Sequence, residues 1–258
     1  MTTTTQFFDD GSVDLHVDAG IATVRFGHPQ SNALPGTLLR SLASTVEHAG
    51  ARDDVRVVVL RSEGQGAFCA GASFDEMAAL DDPAGGREFF LGFARVMLAM
   101  VRAPVPVVTA VQGKVVGGGV GLVAASDYAI AIDRASLRLS ELLIGIGPFV
   151  VGPVIAHKVG VGAFAAMTLD AAWRDAAWAE RHGLYAQVVP DAAALDASVA
   201  ERAGQLASSS PDAVRAIKQV LWEGTASWDD LLGQRAATSA RLVLGEAGRA
   251  AIAKFRKG

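Results

Sequence analysis

Cysteine occurs once in the 258 residues, as Cys69. No internal disulfide can form, and a lone thiol suits a reducing, cytoplasmic setting. The chain also lacks G-x-S-x-G, H-E-x-x-H and C-x-x-C, so the serine-hydrolase and zinc templates are without their parts. Its histidines are scattered at His16, His28, His48, His157 and His182, where structural or surface roles are expected. No metal site is expected. Long runs of one charge are missing too: Lys and Arg number 23 against 27 Asp and Glu, a net charge of -4. Without a concentrated basic face, nucleic acid is not an expected partner, although a few local cations can still hold a small anion. No apolar run spans a bilayer. Residues 105–111 are too few, and 142–156 are broken by Gly145, Gly147, Pro148, Gly152 and Pro153, so no membrane partner is expected. The first six residues have no basic stretch leading into an apolar one, so no signal peptide is expected. No fixed-period repeat is visible, and only the threonines near the start are of low complexity.

What is present is a core. Hydrophobic residues make up 51% and charged residues 19%, enough to fill a sizeable interior. Residues 13–17 and 21–26 alternate with a strand period across a turn at 18–20. Residues 35–48 then carry Leu38, Leu39, Leu42 and Val46 on one helical face. The β-branched run 55–60 reads as a strand covered on both sides. A helix over 88–101 and a strand over 105–111 repeat the order, and a helix after Gly121 leads to a strand over 128–132. Strands alternating with helices predict an α/β fold with parallel strands and right-handed crossovers. From residue 163 on, nearly every segment reads helical, with boundaries at Pro190 and at Ser208 to Pro211. Residues 1–195 are therefore expected to form an α/β core and 196–258 a helical C-terminal region.

Glycine and small residues gather in three places. The first is 68–74, Phe-Cys-Ala-Gly-Ala-Ser-Phe, where small side chains let a ligand approach the main chain, or simply form a tight loop entering a helix. The second is 112–121, with Gly117, Gly118 and Gly119 before an apolar helix; N–H groups at a helix start favour negative charge there. Residues 119–124 also fit G-x-G-x-x-G/A, but they stand mid-chain and away from their strand, which disfavours a nicotinamide site. The third is 139–149, where Glu141 is the only acid between Asp133 and Asp170. Burial would raise its pKa and suit it to proton transfer near neutrality. Alternatively, Ser140 caps a helix whose first turn Glu141 favours.

In order and spacing, these segments resemble the crotonase (enoyl-CoA hydratase/isomerase) superfamily along nearly the whole chain. The likeness starts at 28–34 (His-Pro-Gln-Ser-Asn-Ala-Leu), continues through Ala70–Gly71–Ala72 and the glycine triplet, and closes with 180–184, 188–190 and Ser210–Pro211 before Lys218. The resemblance implies a spiral of ββα units with a helical C-terminal trimerisation region. It implies that the N–H groups of Ala72 and Gly118 form an oxyanion hole for a thioester enolate, with Glu141 as acid/base. It places Ala70 against the coenzyme's adenine, Phe74 beside the thioester, and Gly71, Gly117 and Gly121 along the substrate.

The sequence departs from the family at several positions. Gly121 stands where a hydratase has the first of two glutamates, which leaves Glu141 alone and suits a double-bond isomerase. Phe149 stands where a dienoyl isomerase needs an acid. Ser73 replaces a common aspartate. Phe255 replaces a usual lysine, leaving Lys254, Arg256 and Lys257 as candidates for the coenzyme A phosphates. The expected protein is a lyase or isomerase of fatty acid metabolism acting on an unsaturated acyl-CoA. It needs no cofactor, because coenzyme A belongs to the substrate, and it forms a homotrimer or a dimer of trimers. A non-catalytic acyl-CoA-binding subunit is the rival reading, and an NAD-binding protein a more distant one.

Overall fold

A computed structural model describes residues 2–8 and 11–255. Strands β1 (Thr2–Phe8), β2 (Gly11–Asp18) and β3 (Ile21–Gly27) run antiparallel, and helix α1 (Gly36–Gly50) follows. Next come β4 (Val57–Ser62), α2 (Phe74–Ala78), α3 (Pro83–Arg102), β5 (Val107–Val111), β6 (Val115–Val116) and α4 (Gly118–Ala124). The chain continues with β7 (Tyr128–Ile132), β8 (Ser136–Arg138), a single 3-10 turn (Glu141–Ile144) and α5 (Gly152–Leu169). It ends with β9 (Arg174–Asp175), α6 (Ala176–Arg181), β10 (Gln187–Val189), α7 (Ala192–Ser208), α8 (Pro211–Leu221), α9 (Trp228–Leu244) and α10 (Glu246–Phe255).

Seven strands form one sheet in the order β1-β2-β3-β4-β5-β7-β10, parallel from β3 onward. The parallel part agrees with the alternation in the sequence. β4 is buried from Val57 to Leu60 and β5 throughout, as for strands covered on both faces, with α1 and α7 packed on the sheet. Two elements add to the expectation. The low-complexity threonines near the start form β1, an edge strand paired to β2, which suits β-branched residues. β10 is a strand inside the half that reads helical; its three residues are too few to show a period.

The C-terminal helices are tied to the core by packing and by a buried ion pair. α9 lies along α3. Lys218 of α8 is 4% exposed; its Nζ donates to Asp127 Oδ2 at 2.8 Å and to the carbonyl oxygens of Met100 and Val105. Trp222 Nε1 donates to the other Asp127 oxygen at 2.7 Å, so the buried carboxylate is satisfied on both sides. α5 is the outlier. It is long and apolar enough to cross a membrane by composition, yet it breaks at Gly160 and buries only Gly152, Val154, Ile155 and Met167.

A second sheet of three short strands, β6-β8-β9, sits beside the first and carries the loops of interest. Val115 bridges to Cys69, Val116 pairs with Arg138, and Ala72 bridges to Leu34. These few ladder contacts bring segments 34, 69–72, 115–118 and 138 to one place.

Candidate active site

A cavity of about 440 Å³ opens where those segments meet. Ala70, Gly71, Ala72, Phe74, Gly117, Gly118 and Glu141 all line it. Its remaining wall is mainly apolar, with Phe90 and Phe93 from α3 and Ile144, Ile146, Phe149 and Val151 from the segment after Glu141.

The two main-chain donors are presented by different means. Leu34 binds the residues on either side of Ala72: its N–H donates to Gly71 O at 2.8 Å, and its carbonyl accepts from Ser73 N at 3.2 Å. In extended backbone successive N–H groups point to opposite edges, so the N–H of Ala72 is turned away from Leu34. Gly118 is the first residue of α4, where an N–H has no partner within the helix. Among the described residues neither N–H donates a hydrogen bond. The loops approach closely: a Cβ on Gly71 would lie 3.3 Å from Val116 O and 3.9 Å from Gly118 N. Gly117 caps α4 with φ 53° and ψ -119°, a conformation open essentially to glycine alone. Its own N–H donates to Arg138 O at 3.0 Å, which sets the direction of the next N–H along.

Glu141 faces this pair. A Cβ on Gly117 would lie 3.2 Å from Glu141 Oε1, while Oε2 is enclosed and has no hydrogen-bond partner. The residue as a whole is half-buried, but the carboxyl is inside. Burial pushes its pKa up from 4.5 to about 7, against a partial pull from the N–H groups of residues 141 and 140. Ser140 occupies the N-cap position of the 3-10 turn without a capping hydrogen bond, and it lines the cavity instead. Glu141 is the only acid lining the cavity among the described residues.

Other expected residues fall elsewhere. Gly121 does not line the cavity: it lies inside α4, and a Cβ there would be 2.6 Å from Val151 Cγ1 and 2.8 Å from Met97 Sδ. The expectation that Gly121 meets substrate is corrected by this placement; glycine stands there for want of space. Gly121→Glu is therefore expected to lower stability by about 1–3 kcal/mol through overpacking rather than to supply a second acid. A thermal melt as stable as wild type would contradict this.

The G-x-G-x-x-A run lies within the same buried helix, with Gly119 against Cys69, so it forms no phosphate-binding turn. Cys69 is a packed residue: burial pushes its thiol up to about 12, and its Sγ accepts from Gly71 N at 3.4 Å. Ser73 does what an aspartate would do there, accepting from Glu76 N at 3.3 Å to cap α2. Lys254 lies exposed in the last turn of α10, while Arg256 and Lys257 lie outside the described residues. No cluster of three or more His, Cys, Asp or Glu side chains is placed to hold a metal among the described residues.

Sequence reasoning missed Arg138, Ser140 as a wall residue, and Ser239, which reaches the cavity from α9. Arg138 had a signal, an isolated charge in the apolar stretch Ser-Leu-Arg-Leu-Ser; Ser239 had none.

The enoyl-CoA hydratase/isomerase family model matches residues 16–243. Over 123 residues the chain is 42% identical to a (7aS)-7a-methyl-1,5-dioxo-2,3,5,6,7,7a-hexahydro-1H-indene-carboxyl-CoA hydrolase from Rhodococcus jostii, covering 48% of this chain and 47% of the relative. The same-named hydrolase of Mycobacterium tuberculosis is 35% identical over 158 residues, 60% of this chain and 64% of that protein. The chain thus spans between about half and two-thirds of the length of these curated relatives. A solved structure of an enoyl-CoA hydratase from Mycobacterium avium superposes with a TM-score of 0.81 at 30% identity, covering 95% of this chain and 96% of the other.

Proposed function

The chain belongs to the enoyl-CoA hydratase/isomerase family, and from that premise we propose that it moves the double bond of an enoyl-CoA through a thioester enolate. The observation that carries this reading is one enclosed carboxyl, Glu141, facing two unpaired main-chain N–H groups across an apolar cavity. The thioester oxygen sits between the N–H groups of Ala72 and Gly118. As charge develops on it, each donor supplies stabilisation of roughly 3–4 kcal/mol. The Glu141 carboxylate takes a proton from the carbon next to the thioester of a 3-enoyl-CoA, and the electron pair delocalises into a dienolate. The same carboxyl returns the proton to the fourth carbon, leaving the 2-enoyl-CoA and restoring the carboxylate.

Hydration makes a further demand, because a water must be oriented while a proton is moved. The position that would hold a second acid is Gly121, packed against Val151 and Met97. Isomerisation is therefore expected to outpace hydration. A second reading, hydrolysis of an oxygenated acyl-CoA, draws support from the two bacterial hydrolases of a dioxo-indene carboxyl-CoA and from a cation, Arg138, in the cavity wall. Assaying 3-enoyl isomerisation, 2-enoyl hydration and oxo-acyl-CoA hydrolysis under identical conditions tests these readings. Efficient hydration with negligible isomerisation would sink the single-acid account. Coenzyme A binding without turnover would favour a non-catalytic subunit.

The assembly we propose is a homotrimer or a dimer of trimers. α5 leaves Val161 and Leu169 about three-quarters exposed, at 75% and 76%, and α8 exposes Ile217, Val220 and Leu221. Apolar surface of this kind is covered in closed symmetric assemblies. Light scattering at micromolar concentration is expected to give three or six times the chain mass; a monomer would overturn the proposal.

A further inference from the structure

The cavity wall holds a cation that none of the described residues neutralises. Arg138 ends β8 and lines the same cavity as Glu141. Its Nε is enclosed and has no hydrogen-bond partner, and none of the ion pairs among the described residues includes it. What fixes the side chain is an aromatic platform: its guanidinium carbon lies 4.6 Å from the ring centroid of Trp173. Lys114 Nζ is 5.3 Å from the same ring, so a second positive charge reinforces the first. Stacking holds a guanidinium plane and leaves its edge donors free for an acceptor.

The terminal guanidinium nitrogens also make no hydrogen bond among the described residues, which leaves charged donors available to a ligand in the cavity. A purely hydrocarbon acyl tail filling this cavity would strip water from those nitrogens and give them no acceptor. We propose that Arg138 selects acyl-CoA substrates carrying an acceptor oxygen, a carboxylate or a ketone, on the acyl group remote from the thioester. This rests on the reading of the cavity as an acyl-CoA site. Arg138 lines the same cavity as Glu141, so an acceptor that meets its terminal nitrogens there belongs to the acyl group; the coenzyme A phosphates are the alternative that the test separates.

The test is calorimetric titration of the full chain with four ligands that need no turnover: hexanoyl-CoA, adipoyl-CoA, a keto-hexanoyl-CoA with its ketone on the penultimate carbon, and free coenzyme A. Wild type is expected to bind the two oxygenated thioesters about tenfold or more tighter than hexanoyl-CoA, the range of a charge-assisted hydrogen bond. Arg138→Met should bring that ratio close to one, and Arg138→Lys should keep part of the preference for adipoyl-CoA. Equal affinities for the three thioesters in wild type would overturn the proposal without needing any variant. So would an Arg138→Met protein that loses free coenzyme A as strongly as adipoyl-CoA, since the guanidinium would then serve the phosphates. If wild type bound none of the four, the acyl-CoA reading itself would fall, an outcome distinct from equal binding.

Discussion

Glu141→Gln is expected to lower enoyl-CoA turnover by about 10²–10⁴-fold, the usual contribution of a positioned general acid/base, while coenzyme A binding is kept. The substitution preserves shape and removes only the titrating group from a mainly apolar wall. The pH dependence follows from burial. With the carboxyl at about 7, the base form is scarce below neutrality, so kcat/KM in wild type should decline roughly tenfold per pH unit below that point. Stability moves in the opposite sense. The folded pKa lies above the ordinary 4.5, so the neutral carboxyl favours the fold fully below about pH 4.5. That advantage is lost progressively as pH rises to about 7. Above it, Glu141→Gln should be the more stable protein, by on the order of 3 kcal/mol, and near pH 4 the two should melt alike. A variant that loses activity yet shows no stability gain at high pH would mean that the carboxyl is not enclosed as described.

Gly117→Ala is expected to lower kcat/KM by about 10²–10³-fold, close to the loss of one oxyanion donor. Two separate effects act on it. A side chain at φ 53° and ψ -119° is strained, and relieving the strain rotates the peptide that carries the Gly118 N–H. The added methyl would also stand 3.2 Å from Glu141 Oε1, displacing the carboxyl or drying it further. The second effect has its own signature: the pH midpoint of kcat/KM should move upward from about 7. Steady-state kinetics across pH would separate the two. An activity like that of wild type would mean that neither the cap geometry nor the nearness of Gly117 to Glu141 matters to the reaction.

Much of this site can be read along the chain because its parts break local rules. Three glycines before an apolar helix weaken that helix, and one acid in an apolar run is costly to bury, so Gly117, Gly118 and Glu141 stand out unaided. The parallel strands are legible for the opposite reason: β4 and β5 are continuous β-branched runs, as burial on both faces demands. Gly121 is where local reading fails. It shares the loop's composition but points into Met97 and Val151, contacts that only the packing of α3 and the chain before α5 creates. Ser239 is unreadable for the same reason, since it reaches the cavity only because α9 lies along α3. Arg138 is intermediate. Its charge is visible in the sequence, but the stacking on Trp173 depends on β9 closing beside β8.

The central claim, that Glu141 moves a proton on a thioester enolate held by main-chain donors, can be tested without knowing the natural substrate. Hexanoyl-CoA has no double bond to move or hydrate, but it keeps a proton on the carbon next to the thioester. In deuterium oxide the wild-type chain should exchange that proton for deuterium, followed by mass spectrometry. Glu141→Gln should slow the exchange by about a hundredfold or more. Exchange at the same rate in both proteins would contradict the account.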